Sequence, residues 1–145
     1  MKIAGHGLHI DVPRGWEARV YRRAEGDPTL HAGNFPLPMD DGDFGSRAVG
    51  RMTDGGIFIA LTEYRPELAG QPLFSGPGLP LAVGDSELNP LALQRALPGQ
   101  SGVQRFFTEA GRPFCLYLVV GSWPNPWKLL RQANRVLRTL AITPA

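Results

Sequence analysis

The chain has 145 residues, with 15 Lys and Arg, 13 Asp and Glu, and 43% apolar residues, which is the make-up of one globular domain. Its longest apolar run, residues 114–120, is too short to cross a membrane. Residues 1–12 contain His and Asp where a signal peptide needs a continuous apolar stretch. The single cysteine, Cys115, cannot form an internal disulfide. We therefore expect one cytoplasmic domain over residues 1–145, without membrane insertion.

Charge is unevenly distributed along the chain. Residues 1–87 contain 8 basic and 12 acidic side chains, whereas residues 88–145 contain 7 basic and 1 acidic side chain. This asymmetry is compatible with an anionic partner that binds the C-terminal part. It is equally compatible with ion pairs between the two halves of the folded chain.

The first half has the patterns of four strands. Residues 8–12 and 16–21 both alternate apolar and polar side chains, and the turn residues between them predict a hairpin. Residues 29–35 are a third strand, and the apolar run 57–62 predicts a buried central strand. Residues 36–43, rich in Pro, Asp and Gly, predict an exposed loop, and residues 44–52 one or two helical turns.

Residues 66–98 contain six prolines, which leave little room for long regular elements. We expect an extended Pro/Gly-rich surface excursion there, with a short helix over residues 91–97.

The C-terminal third predicts a hairpin and then a helix. Residues 103–109 and 114–121 are strand-like runs joined by a compact turn at 110–113. Asn125 as N-cap and Pro126 in the first turn begin a helix whose apolar residues recur as far as Leu140. The fold class is therefore α+β: an antiparallel twisted sheet of five to six strands, with the C-terminal helix packed on one face.

The candidate interaction surface lies at this helix. Lys128, Arg131, Arg135 and Arg138 are three and four residues apart, so they share one helical stripe. The stripe is either an anion-binding face or an ordinary solvated face. Trp123 and Trp127 flank the start of the helix, where they either anchor a partner or fasten the incoming chain to the core.

The sequence lacks the common catalytic and nucleotide-binding motifs, and it indicates no cofactor and no metal. A regular strand would place His6 and His9 on opposite faces, which is wrong for a shared metal ion. Cys115, in an apolar strand, is expected to pack as a small hydrophobic residue. Any pocket would be assembled from scattered residues, with His31, Glu63, Tyr64 and Arg105 as candidates.

Four stretches carry a resemblance. They are Leu8-x-Ile10-x-Val12-Pro13-x-Gly15-Trp16, Gly111-Arg112-Pro113-Phe114, Ala133-Asn134-x-x-Leu137 and Leu140-Ala141-Ile142. In this order they resemble the PsbP-like α/β sandwich superfamily, which includes DcrB-like lipoproteins and Eag-type chaperones of secretion systems. The resemblance implies a non-catalytic binding or assembly module, and the Eag-type branch shields apolar helices on a sheet surface. Residues 1–12 show neither the signal-peptide pattern nor the lipidation cysteine of the lipoprotein branch, so we expect an intracellular adaptor to be the nearer analogue.

Three functions follow as hypotheses. The first is a non-catalytic protein-interaction module, an intracellular adaptor or secretion-type chaperone that presents an apolar sheet face to a protein partner or to a second copy in a homodimer. The second is a small-ligand-binding protein or small enzyme with a pocket of scattered residues. The third, nucleic-acid binding through the basic helix, is disfavoured by a net charge of only +2 and by the lack of a helix-turn-helix pattern.

Overall fold

The computed structural model describes residues 1–122 and 125–145. Its strands and helices are β1 (Lys2–Gly5), β2 (Leu8–Asp11), β3 (Glu17–Tyr21), β4 (Thr29–Gly33), α1 (Ser46–Arg51), β5 (Ile57–Glu63), β6 (Ser101–Glu109), β7 (Arg112–Val120), α2 (Trp127–Leu137) and β8 (Ala141–Ile142). They form a three-stranded sheet of order β1-β2-β8 and a five-stranded sheet of order β3-β4-β5-β7-β6, all antiparallel. The α+β class, with antiparallel sheets and a C-terminal helix, is confirmed, and the strands divide between two sheets.

The neighbouring strands β5 and β7 form the interior of the larger sheet. Every residue of both strands is buried, which explains why their sequences are apolar almost throughout instead of alternating. Along β5, Ile57, Ile59 and Leu61 face one core, and Phe58 and Ala60 face the other. The predicted buried central strand is confirmed.

The hairpin of β6 and β7 is also confirmed. Its two turn residues, Ala110 and Gly111, have φ of 54° and 75°, and the right-handed twist of a hairpin favours such left-handed pairs. Strand β7 lies inside the sheet, whereas β6 is its edge strand.

The hairpin predicted from residues 8–12 and 16–21 is wrong. Strand β2 pairs with β1 and β8, and β3 pairs with β4, so the turn after Val12 carries the chain from one sheet to the other. The alternation is real, because Leu8, Ile10 and Val12 are buried, but a burial pattern does not specify which strand supplies the hydrogen bonds.

Strand β1 was not predicted. It joins β2 through His6 and Gly7, which have φ of 51° and 79°. A two-residue turn with glycine in second place is a hairpin signal, and it was present in the sequence.

Both faces of the larger sheet are covered by the chain itself. One face packs against α2 and the smaller sheet. The other packs against the segment 34–56, which contains α1 and buries Leu37, Ala48 and Val49. Gly45, with φ of 65°, lies so close to the ring of Phe58 that a Cβ atom would overlap the ring. The apolar sheet face expected to be open to a partner is therefore occupied by this segment.

The proline-rich residues 66–98 run along the edge strand β6. Gly76 bridges Phe107, and Asn89 bridges Gly102. The excursion contains four 3-10 turns: Pro66–Leu68, Pro72–Phe74, Asp85–Glu87 and Pro90–Ala92. The helix predicted over residues 91–97 is wrong, because the chain is extended again at Leu93 after the last of these turns.

Helix α2 is shorter than predicted. Its N-cap is Pro126 with no side-chain cap, so the prediction of Asn125 as the N-cap is wrong. The helix ends at Leu137, and Thr139 lies in the turn that follows. Its Oγ1 donates to the carbonyl of Val136 at 2.7 Å and accepts from the N–H of Asp11 at 3.0 Å. Trp123 lies outside the described residues. No helix within residues 1–122 and 125–145 is long and apolar enough to cross a membrane.

A buried arginine, paired with a glutamate of its own sheet, joins the two sheets. Arg112, at the start of β7, donates from Nε and Nη2 to the two carboxylate oxygens of Glu63 at 3.0 and 2.7 Å. It also donates to the carbonyl of His6 in the β1–β2 turn and to that of Thr143 after β8, both at 2.8 Å. The Arg112 and Glu63 side chains are only 4% and 6% exposed, so these hydrogen bonds replace lost hydration.

We expect Arg112→Ala to lower the free energy of unfolding by ~3–5 kcal/mol, because it leaves Glu63 buried without a counter-ion. Urea unfolding followed by circular dichroism measures this. The matched control is Arg23→Ala, which removes the exposed pair Arg23–Asp43 and should cost at most about 1 kcal/mol. Equal losses in the two variants would contradict this assignment.

Candidate binding surface on the C-terminal helix

The four cations of the predicted stripe lie together on the outer side of α2. Lys128, Arg131, Arg135 and Arg138 are all exposed, opposite the buried Leu130, Ala133, Val136 and Leu137. None of the four forms an ion pair with an acid in the described residues. The structure therefore brings these predicted residues onto one surface, which we call the basic ridge.

Two other cations of the C-terminal part pair with acids. Arg112 pairs with Glu63 in the interior, and Arg105 pairs with Glu87 at a partly exposed position. Both partners come from the acidic first part of the chain, so pairing between the two parts does occur. The basic ridge, by contrast, is a cluster of exposed cations without such partners on the surface of the C-terminal part.

The helix dipole explains the positions of only two of the four cations of the basic ridge. Arg135 and Arg138 lie near the C-terminus of α2, where the partial negative charge favours cations. Lys128 lies in the first turn, where the partial positive charge disfavours a cation, and the first turn contains no acid. Arg131 is the fifth residue of the helix, beyond the first turn, so the dipole does not account for its position. Lys128 therefore opposes the stability of its own helix.

Trp127 is the aromatic part of this surface. It is 45% exposed, so it does not fasten the helix entry to the core. The guanidinium carbon of Arg131 lies 4.8 Å from the Trp127 ring centre, and Nζ of Lys128 lies 5.5 Å from it. Cation–π contacts at these distances hold the ring and the cations together. Tryptophan and arginine are also the residues most enriched at the energetic centres of protein interfaces.

A cleft of about 640 Å³ adjoins the ridge. It lies between α2 and the turn that follows β2, and both Arg135 and Arg14 line it. Sequence reasoning missed Arg14, because the cleft arises from tertiary contact between segments more than a hundred residues apart.

The four scattered pocket candidates do not converge. Glu63 and Tyr64 line one cleft of about 480 Å³, but Glu63 is held by Arg112, and burial raises the pKa of Tyr64. Arg105 is bound to Glu87 elsewhere, and His31 lies on the face of the sheet covered by the segment 34–56. The structure thus assembles no acid–base pair from these residues.

His31 has a structural role. Its ring makes edge contacts with Tyr21 and Phe58, and its Nε2 lies 2.9 Å from the carbonyl of Asp43 in the covering segment. Burial, which disfavours the charged form, lowers the pKa of His31. The neutral ring therefore serves to fasten the segment to the sheet.

We expect the free energy of unfolding to fall as the pH drops below about 6.5, because the unfolded chain then binds a proton that folded His31 rejects. Urea unfolding between about pH 7.5 and 5.5 measures the slope of the free energy of unfolding against pH. The slope should flatten in His31→Gln and persist in the control His9→Gln, which changes an exposed histidine. An unchanged slope in His31→Gln would refute the assignment.

Cys115 is fully buried in β7, in agreement with the prediction that it packs as a hydrophobic residue. Burial raises the pKa of its thiol to about 12, so very little thiolate is present at neutral pH. Among the described residues, no group of three or more His, Cys, Asp or Glu side chains is placed to hold a metal ion.

We expect folded protein to react with iodoacetamide at least ~100-fold more slowly than the urea-unfolded chain, because alkylation needs the thiolate. Mass spectrometry measures the rate. The control Leu73→Cys in a Cys115→Ala background introduces an exposed thiol, which should react rapidly in the folded state. Rapid alkylation of folded wild-type protein would show that Cys115 is accessible.

The chain matches no protein-family model, no curated protein and no solved structure. The resemblance to the PsbP-like superfamily stays a prediction. What the geometry defines is an α+β domain with a basic, tryptophan-bearing helix on its surface.

Proposed function

We propose that the protein is a non-catalytic interaction module that binds an acidic segment of a partner protein through the basic ridge and Trp127. The observation that carries the proposal is the set of exposed cations without acidic partners, gathered around an exposed tryptophan. An acidic segment would supply the missing counter-charges, and its apolar side chains would pack on the indole.

The placement of Lys128 supports this function over simple solubility. Lys128 disfavours its own helix through the dipole, and stability alone would favour an acid at this position. Residues that cost stability and face solvent are typical of binding sites.

The covered faces of the larger sheet favour a proposal of binding at the helix over binding at a sheet face. The face predicted to receive a partner is covered by the segment 34–56, and the other face is covered by α2 and the smaller sheet. Adaptor-type recognition on α2 leaves this core intact, whereas chaperone-type shielding on the sheet would require the segment to leave.

The test replaces Trp127 with a photo-crosslinking phenylalanine analogue in the cells of origin. The expected product is an adduct whose crosslinked peptide, identified by mass spectrometry, is acidic. Lys128→Glu/Arg131→Glu should reduce the adduct at least ~10-fold, because it reverses two charges beside the crosslinker. The control Arg47→Glu/Arg51→Glu makes the same charge change on α1, where both residues are exposed, and should leave the adduct unchanged.

The same variant gives a second, independent measurement. Lys128→Glu/Arg131→Glu should change the free energy of unfolding by less than about 1 kcal/mol, because an acid at position 128 favours the start of the helix while the cation–π contacts with Trp127 are lost. Lost binding with unchanged or greater stability identifies a recognition surface. An adduct only with nucleic acid, an adduct only with a second copy of the chain, or an adduct unaffected by the charge reversal would overturn the proposal.

A further inference from the structure

The cleft beside α2 has a chemical character different from that of the ridge. Three buried apolar side chains, Val12, Trp16 and Val136, lie at its base, with exposures of 1%, 8% and 2%. Two exposed guanidinium groups, Arg14 and Arg135, line it as well. A volume of about 640 Å³ is within the usual range for small-molecule sites.

The charges in this cleft are not balanced by the fold. Its acidic group, Asp11, accepts a hydrogen bond from the amino group of Met1 at 3.0 Å, and this amino group also donates to the carbonyl of Val12 at 2.7 Å. Neither Arg14 nor Arg135 forms an ion pair with an acid in the described residues. The cleft thus presents two cations that have no counter-ion and an apolar base.

We infer that this cleft binds a carboxylate attached to an apolar group, with the carboxylate held by Arg14 and Arg135 and the apolar group on Val12, Trp16 and Val136. Guanidinium groups match the planar geometry of carboxylates, and two of them fix its orientation. The apolar base distinguishes such a ligand from inorganic anions, which gain nothing from contact with hydrocarbon.

The cleft shares Arg135 with the basic ridge, but the two surfaces can be tested separately. Arg14 belongs to the turn after β2 and lies outside α2, whereas Lys128 and Arg131 do not line the cleft. A variant at Arg14 therefore tests the cleft without removing a cation from the helix, and Lys128→Glu/Arg131→Glu tests the ridge without altering the lining of the cleft. The two proposals can fail independently.

The experiment titrates ¹⁵N-labelled protein with 4-phenylbutyrate and, separately, with acetyl-glycyl-phenylalanine, which carries the same chemistry at a peptide end. The expected result is a saturable shift of the Trp16 indole N–H, assigned with a Trp16→Phe variant. Each neutral amide analogue should bind at least ~10-fold more weakly, because the charge-assisted hydrogen bonds are lost. The acid that binds with the lower Kd shows whether the cleft prefers a free small-molecule carboxylate or the carboxylate at the end of a peptide.

Arg14→Gln and Arg135→Gln should each weaken binding about 10-fold, and the control Arg47→Gln/Arg51→Gln should leave it unchanged. Both cleft arginines are exposed, so the variants should keep the wild-type circular dichroism spectrum. Equal binding of acids and amides, equal binding of inorganic phosphate, equal affinity in the Arg14→Gln variant, or no saturable shift with either acid would overturn the inference.

Discussion

Arg112, paired with Glu63, is the residue on which the arrangement of the two sheets depends. From β7 its guanidinium reaches three places that are far apart in the sequence: β5, the β1–β2 turn and the backbone after β8. Because it is buried, each of its donors needs an acceptor at a fixed position, and the three acceptor groups come from segments that no local pattern connects. The smaller sheet is therefore positioned against the larger one by hydrogen-bond geometry as well as by apolar packing.

Once the sheets are fixed, the remaining segments decide which surfaces stay open. The segment 34–56 uses Leu37, Ala48 and Val49 to close one face of the larger sheet, and α2 closes the other. The binding surface that we propose lies on the outside of α2, which is itself packed into the core through Leu130, Ala133 and Leu137. A rigid, convex helix favours partners that adapt to it, such as extended acidic segments, over partners that need a groove.

The sequence predicted features that are set locally and missed those set by distant contacts. The burial of β5, the β6–β7 hairpin and the cation stripe follow from apolar runs, turn residues and helical spacing. The pairing of β2 with β8 could not be predicted in this way, because Ala141 and Ile142 are too few to show a pattern. The cleft was missed for the same reason, since Arg14 and Arg135 meet only when the β2–β3 turn packs beside α2. Conversely, the two-residue turn at His6 and Gly7 was a readable signal for β1.

The proline-rich excursion has a consequence for the behaviour of the protein at high concentration. Strand β6 has nine residues and stands at the edge of its sheet, and a bare edge of this length is a template for intermolecular strand addition and fibril growth. Gly76 and Asn89 cover it at two points, and the close approach needs a glycine, because a Cβ at position 76 would come within 2.7 Å of the carbonyl oxygen of Phe106. Prolines beside these contacts cannot donate backbone hydrogen bonds, so the covering chain cannot itself become the next template. The excursion thus closes the edge without creating another.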